Sequence, residues 1–275
     1  MLSNKETDNN ILQLDDSYDS TTTLIGTVHV SKNTRKRVLD TIADMNPDVV
    51  AIELDSERLY KMFEGKADIN IGDIPPNSMF QDIIKKQQEK MFSDKDGLLK
   101  PGDADMFPAA NKAMKINSEI ALIDMSVDDL KSNIKSNIFK DGKISLEIFN
   151  KSSDEIVDSL KLFINSRKDM ATRANENGIE GLVEEMENSP LSEVSKQFEP
   201  LNNLAPEFVT ALIDERDKHM AGKIHWLRQN KKNIVVVMGR GHLLGVQEYL
   251  NNPETIPDKY VTEPDWYNYT TIDIN

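Results

Sequence analysis

The chain runs to 275 residues with 47 Asp and Glu against 33 Lys and Arg, a formal charge of −14, and it contains four His and no Cys. That length holds one large α/β core carrying an insertion. Without Cys there are no disulfides, no thiolate-bound zinc and no thiol nucleophile, and an acidic surface with dispersed basic residues excludes a nucleic-acid backbone as main partner, because that requires a basic face.

Residues 1–20, MLSNKETDNNILQLDDSYDS, are polar and acidic. They lack a basic segment followed by an apolar run, which predicts a poorly ordered leader rather than a signal peptide. No segment approaches the roughly 20 apolar residues of a membrane span, so the expectation is a soluble, cytoplasmic protein. The run TTTLIG predicts a strand from Thr22 to Gly26. Ser31 then caps a helix over KNTRKRVLDTIADM, with Val38, Leu39, Ile42 and Met45 as its apolar stripe and Asn46-Pro47 as its end. DVVAIELD is a nearly continuous apolar run of strand length, which predicts a parallel strand covered on both faces and a right-handed βαβ unit. From Glu57 to Asn117 the pattern is helical, interrupted by loops at ADINIGDIPPNS and SDKDGLLKPGDAD. EIALIDMS reads as a third strand ending in Asp124. Residues 127–230 read as a largely helical insertion with breaks at Asn177-Gly178 and Ser189-Pro190. Within it, residues 145–203 suit either a lid or a homodimer interface. NIVVVMG is a fourth strand feeding the turn and helix of GRGHLLGVQEYLNN, and residues 256–275 form an irregular tail or a short edge strand. The predicted fold class is therefore α/β, a mostly parallel central sheet flanked by helices over residues 21–255, with the helical insertion inside it.

Two Gly-x-x-His units, Gly26 to His29 and Gly239 to His242, fall just past strand carboxyl ends, where ligands gather in parallel α/β sheets. Glycine there permits a positive φ or a close backbone approach. Glu53 closes the intervening strand and Asp55 follows in its turn. A carboxylate in a buried run needs a partner, because an unpaired charge is costly there. That partner is a metal, an arginine or another cation; in a purely structural role Glu53 instead caps a helix or pairs with Arg58. Arg216 takes the missing step of the stripe Val209, Ile213, Met220, Ile224, Leu227. A guanidinium on a core-facing stripe pairs with Glu53 or Asp124, or binds a substrate or transition state. His219 and His225 lie elsewhere on that helix and read as surface or packing residues.

His29, His242 and Glu53 would make an open three-ligand site for Zn²⁺, Mn²⁺ or Co²⁺ with a position left for water. The metal-bound water would attack a carbonyl while Arg216 steadies the oxyanion; alternatively one of the three is a general base. Asp55, Arg58 and Asp124 are candidates to orient these groups, and Gly26, Gly239 and Gly241 to bring backbone against a substrate. GRGHLLG is not a dinucleotide fingerprint, since Leu244 stands where the third Gly belongs and Gly245 comes one later.

The blocks LIGTVHVS, DVVAIELDSERL, ALIDMSV, DERDKHMAGKI and VVVMGRGHLLGVQEYL resemble, in this order over residues 22–252, the TraB family (TraB/PrgY, named for pheromone shutdown). That family is distantly similar to the Tiki proteases and to the erythromycin esterase/ChaN-like fold. The resemblance implies that both Gly-x-x-His units line one site with Glu53 and Arg216. It also implies metalloprotease-like hydrolysis, a divalent metal, and a peptide or small-molecule substrate. A non-catalytic protein that sequesters such a ligand in the same crevice is the rival reading, and haem binding a weaker third. Family members often follow the strand-end Asp with Arg. Here Met125 follows Asp124, which would remove a cation from the crevice rim. Many archaeal relatives carry membrane spans after the domain, and none is expected in this chain.

Overall fold

The computed structural model describes residues 9–14, 19–63, 104–140, 143–144, 146 and 150–268. The helices and loops expected between residues 64 and 103 lie outside them. One six-stranded sheet organises the molecule in the order β1-β2-β7-β3-β4-β8. Its inner strands β2 (Thr21–Thr27), β7 (Asn233–Gly239), β3 (Val49–Ile52) and β4 (Glu119–Leu122) are parallel. The edges β1 (Ile11–Leu14) and β8 (Asp265–Trp266) pair antiparallel with β2 and β4. A separate two-stranded hairpin joins β5 (Phe139–Lys140) to β6 (Lys143–Ile144).

The apolar runs are continuous because both sheet faces are covered. Leu24, Val49, Ala51, Ile234 and Val236 face α9 (Glu215–Asn230) and α10 (Leu243–Asn251), packing on Met220, Ile224, Leu227, Leu243 and Val246. Their alternate neighbours Ile25, Val50, Ile52, Val235 and Val237 pack on Val38 and Ile42 of α1 (Lys32–Met45) and on Ala109, Ala110 and Ala113 of α3 (Met106–Lys115). All these side chains are removed from water, and each large one contributes about 1.5–3 kcal/mol. Ser31 caps α1 as expected, accepting from the Asn33 and Thr34 N–H groups. The short α2 (Ser56–Phe63) follows β3.

Between β4 and β7 the chain is mostly helical: α4 (Val127–Ile138), α5 (Ser153–Asn188), α6 (Leu191–Lys196), α7 (Glu199–Leu204) and α8 (Pro206–Val209). Gly178, with φ of 72°, breaks α5, and Ser189 caps its end, at the two punctuation points in the sequence. Among the described residues no helix is long and apolar enough to cross a membrane.

Two expectations are corrected. The leader is not wholly without structure: Ile11–Leu14 is an edge strand, and the Asn10 carbonyl accepts from Gly26 N–H. Four residues flanked by acids carry little strand signal, and the pairing partner that stabilises them is β2. The stripe from Val209 to Leu227 is not one continuous helix face either. A π-helical turn at Thr210–Asp214, with the Glu215 N–H reaching back to the Thr210 carbonyl, shifts the phase before α9 begins. Val209 and Ile213 are consequently only half-buried, while Asp217, Met220, Ala221 and Ile224 form the buried face.

Candidate functional site

Strands β2 and β7 are neighbours with Thr27 beside Gly239, so His29 and His242, distant in sequence, leave adjacent strand ends. β3 flanks β7 on its other side and delivers Glu53, whose N–H still bonds the Val237 carbonyl at 3.1 Å. Gly239 makes the approach possible. A Cβ there would stand 3.1 Å from His29 Nε2 and 3.2 Å from Glu53 Oε2, so the imidazole and the carboxylate converge on a face that a side chain would crowd. Gly26 plays the matching part in the other unit, where a Cβ would press on Leu243, the residue after His242, at 2.9 Å. Gly241 has no such role: a Cβ would meet the Phe198 ring at an ordinary 3.5 Å.

Glu53 is a buried anion with defined partners. Its Oε1 accepts from Arg216 Nη2 at 2.5 Å and its Oε2 from the Gly239 N–H at 2.5 Å. Arg216 also donates through Nε and Nη2 to the two oxygens of Asp124, at 3.0 and 2.6 Å, and through Nη1 to His242 Nε2 at 3.0 Å. The pairing expected with Glu53 or Asp124 is thus made with both. Among the described residues four of the five guanidinium N–H groups are engaged, leaving one on Nη1. Arg58 pairs with Asp55 at 2.8 Å and with Asp124 at 2.8 Å, and it also donates to the Met125 carbonyl. Glu53 therefore does not pair with Arg58. The rim also keeps its cation despite Met125, because α2 supplies Arg58. Burial works to raise both carboxyls, but the charge of Arg216 holds Glu53 below its ordinary value, and Arg216 and Arg58 hold Asp124 far below.

Each histidine is backed by a buried carboxylate. His29 Nδ1 lies 2.6 Å from Asp105 Oδ2, which also accepts from Thr27 Oγ1 at 2.6 Å, while Asp105 Oδ1 accepts from the Met106 N–H that opens α3. His242 Nδ1 lies 2.6 Å from Asp217 Oδ1. Because a guanidinium only donates, His242 Nε2 is an acceptor, and the ring proton sits on Nδ1 facing Asp217. Burial pushes the Asp217 carboxyl up against the pull of His242 and Arg216. His242 is enclosed, whereas the His29 side chain is 48 % exposed.

Desolvation opposes charge on His29, but Asp105 and then Glu53 overcome it and raise its pKa from 6.5 to about 9. A raised folded-state pKa gives stability that is complete below 6.5 and lost as the pH climbs through about 9. Asp105→Asn should bring the His29 midpoint, followed by imidazole NMR titration, down toward 6.5, and flatten the loss of stability across that window. An unmoved midpoint would show that Asp105 does not hold the proton.

Neither Asp105 nor Asp217 was singled out from the sequence, although both left a trace. Asp105 directly precedes a helix with Pro108 in its first turn, an N-cap pattern inside a stretch read as loop. Asp217 is three residues before Met220 on the buried stripe, so the missing step belongs to Asp217 as well as to Arg216. Gly245, which defeats the nucleotide fingerprint, is explained by Asp217: a Cβ there would fall 2.1 Å from Asp217 Oδ2. His219 and His225 are packing residues. His219 meets the Tyr260 ring edge-on and is pushed down to about 4 by burial, and His225 bonds Gln229.

The expected metal set does not fit an ion as it is arranged. Both Glu53 oxygens and His242 Nε2 already accept hydrogen bonds, two of them from a permanent cation. Among the described residues no three or more His, Asp or Glu are grouped to hold a metal.

The model of the TraB/PrgY/gumN family matches residues 15–255. An uncharacterized protein of Methanocaldococcus jannaschii is 28 % identical over 238 residues, covering 84 % of this chain and 53 % of that relative. The chain thus spans about half the length of the curated relative it matches.

Proposed function

This chain belongs to the TraB/PrgY/gumN family, and from that premise we propose that it is a hydrolase of a carbonyl substrate, a peptide amide, working by acid and base catalysis from Glu53 and His29. One observation carries the reading. A carboxylate held ionised and an imidazole held protonated face each other across Gly239, at the carboxyl ends of parallel strands. Neighbouring groups whose environments drive their pKa values apart divide naturally into base and acid.

In this scheme Glu53 takes a proton from water as its oxygen attacks the carbonyl carbon. The remaining Arg216 Nη1–H donates to the oxyanion. His29 Nε2–H protonates the departing nitrogen as the C–N bond breaks, and the proton on Glu53 then restores His29. Asp105 fixes the His29 ring through Nδ1, and Asp217 with Arg216 fixes His242 beside Glu53. Peptide as substrate class follows the family resemblance.

Glu53→Gln is expected to keep the fold and the affinity for a cleavable peptide while lowering its turnover by about 10³-fold or more, in line with removal of a general base. The check is a peptide-library digest read by mass spectrometry, with binding measured alongside. The rival reading, ligand sequestration without turnover, draws on the same hydrogen bonds, because Glu53 and most of Arg216 are already engaged within the protein. Peptide affinity that changes in Glu53→Gln, with no cleavage by either protein, would favour it.

A further inference from the structure

From the surface of α5 we infer that two copies of this chain pair through the first arm of that helix, antiparallel about a two-fold axis near Leu162. The inference concerns association and does not depend on the hydrolase reading.

Six large apolar side chains stand exposed among the described residues, and four of them, Val157, Leu160, Leu162 and Ile164, fall within eight positions of α5. Val157, Leu160 and Ile164, at 46, 40 and 48 % exposure, follow the i, i+3, i+7 spacing and so form one stripe. The inward face is a different one, carried by the buried Ser159 with the half-buried Ile156, Phe163 and Met170, roughly a third of a turn round the helix. A water-facing surface rarely groups apolar side chains in this way unless another surface covers them.

The charges beside the stripe select the occupant. The exposed acids Asp154 and Asp158 lie at its start and the exposed Lys168 follows its end. Asp158 bonds Lys161, but among the described residues neither Asp154 nor Lys168 has an ionic partner. In an antiparallel pair Leu160 packs on Ile164 of the second copy. The stem of Lys168 then covers Val157 of that copy, and its ammonium comes within one turn of the Asp154 and Asp158 there. A parallel pair would instead set each of these charges beside its own copy, which is repulsive. A patch that complements itself is what a two-fold interface requires. The arm is also built before it binds: a capping box between Ser152 and Glu155 starts the helix, which stays regular up to Gly178, so little order has to be created. One pair of helix arms is smaller than the roughly 1,600 Å² of a standard interface, so the dimer is expected at micromolar rather than nanomolar concentration.

The test is sedimentation velocity across the micromolar range on the wild type and on Leu160→Glu/Ile164→Glu, with folding monitored by circular dichroism. Both side chains are exposed, so the variant is expected to keep its fold. The wild type should pass from monomer to dimer as its concentration rises, and the double variant should dissociate with a constant about 100-fold higher or more. Because the chain has no Cys, single cysteines report the orientation under mild oxidation. Val157→Cys and Lys168→Cys should cross-link with each other and neither with itself, since like positions lie about 16 Å apart along the axis of the antiparallel pair. A wild type that stays monomeric throughout, its stripe serving another partner or another part of the chain, would overturn the inference. So would a dimer that the double variant leaves intact, or Val157→Cys cross-linking to itself. Should the double variant unfold, the cross-linking pattern decides alone.

Discussion

Arg216→Met is expected to lose about 3–5 kcal/mol of stability, because it leaves buried carboxylates without their main cation. The side chains of Glu53 and Asp124 are 6 % and 1 % exposed, so water cannot take over the role of the guanidinium. For a chain of this size each kcal/mol shifts the midpoint by about 2–4 °C, giving a thermal midpoint lower by roughly 10 °C. Asp124→Asn in the same background should recover part of that loss, since the two changes share one ion pair and their effects are not additive. The same pairs set the response to acid. Glu53 and Asp124 are held below their ordinary 4.5 and 3.8, so their contribution is present above those values and disappears as the pH falls through the depressed ones. Arg216→Met should therefore flatten the acid limb of the stability curve. Wild-type stability in Arg216→Met, measured by denaturant titration, would mean that the network contributes nothing net.

Gly245→Ala is expected to be the most disruptive single methyl group near the site. The added Cβ would fall 2.1 Å from Asp217 Oδ2 and 2.9 Å from its Cγ, so either Asp217 turns away or α10 lifts from the core. Both outcomes separate Asp217 from His242 Nδ1, and overpacking of this kind costs about 1–3 kcal/mol before the lost hydrogen bond is counted. The checks are denaturant midpoints together with the His242 Nδ1 proton resonance, which should vanish or move. Gly241→Ala is the control, since its methyl would meet Phe198 at an ordinary 3.5 Å and should change neither. If the two variants behave alike, the close approach of Gly245 to Asp217 does not position His242.

Much of this architecture was legible residue by residue. TTTLIG reads as a strand from its β-branched residues and VVAI from an apolar run that leaves no polar face, and the sheet is indeed covered on both sides. His29, His242 and Glu53 were placed together because each follows the end of such a run, where chain leaves the sheet. Ile11–Leu14 was missed because its stability resides in its pairing with β2. Asp105 was missed because its partners Thr27 and His29 lie on another element, and the residues before it read as loop. The continuous stripe through Val209 and Ile213 failed because a π turn inserts a phase shift that periodicity at 3.6 residues does not encode.

The sequence by itself determined the parallel sheet, the helices on its faces and the gathering of two histidines and a carboxylate at one sheet end, because these follow from local hydrophobic pattern and from where glycine interrupts it. Only the tertiary structure decided which charges meet. That Arg216 takes both Glu53 and Asp124, that Arg58 serves Asp124 and not Glu53, and that each histidine has its own aspartate are contacts between elements far apart in the chain. Their energies depend on burial and on separations of a few ångströms, and neither quantity exists until the elements have packed.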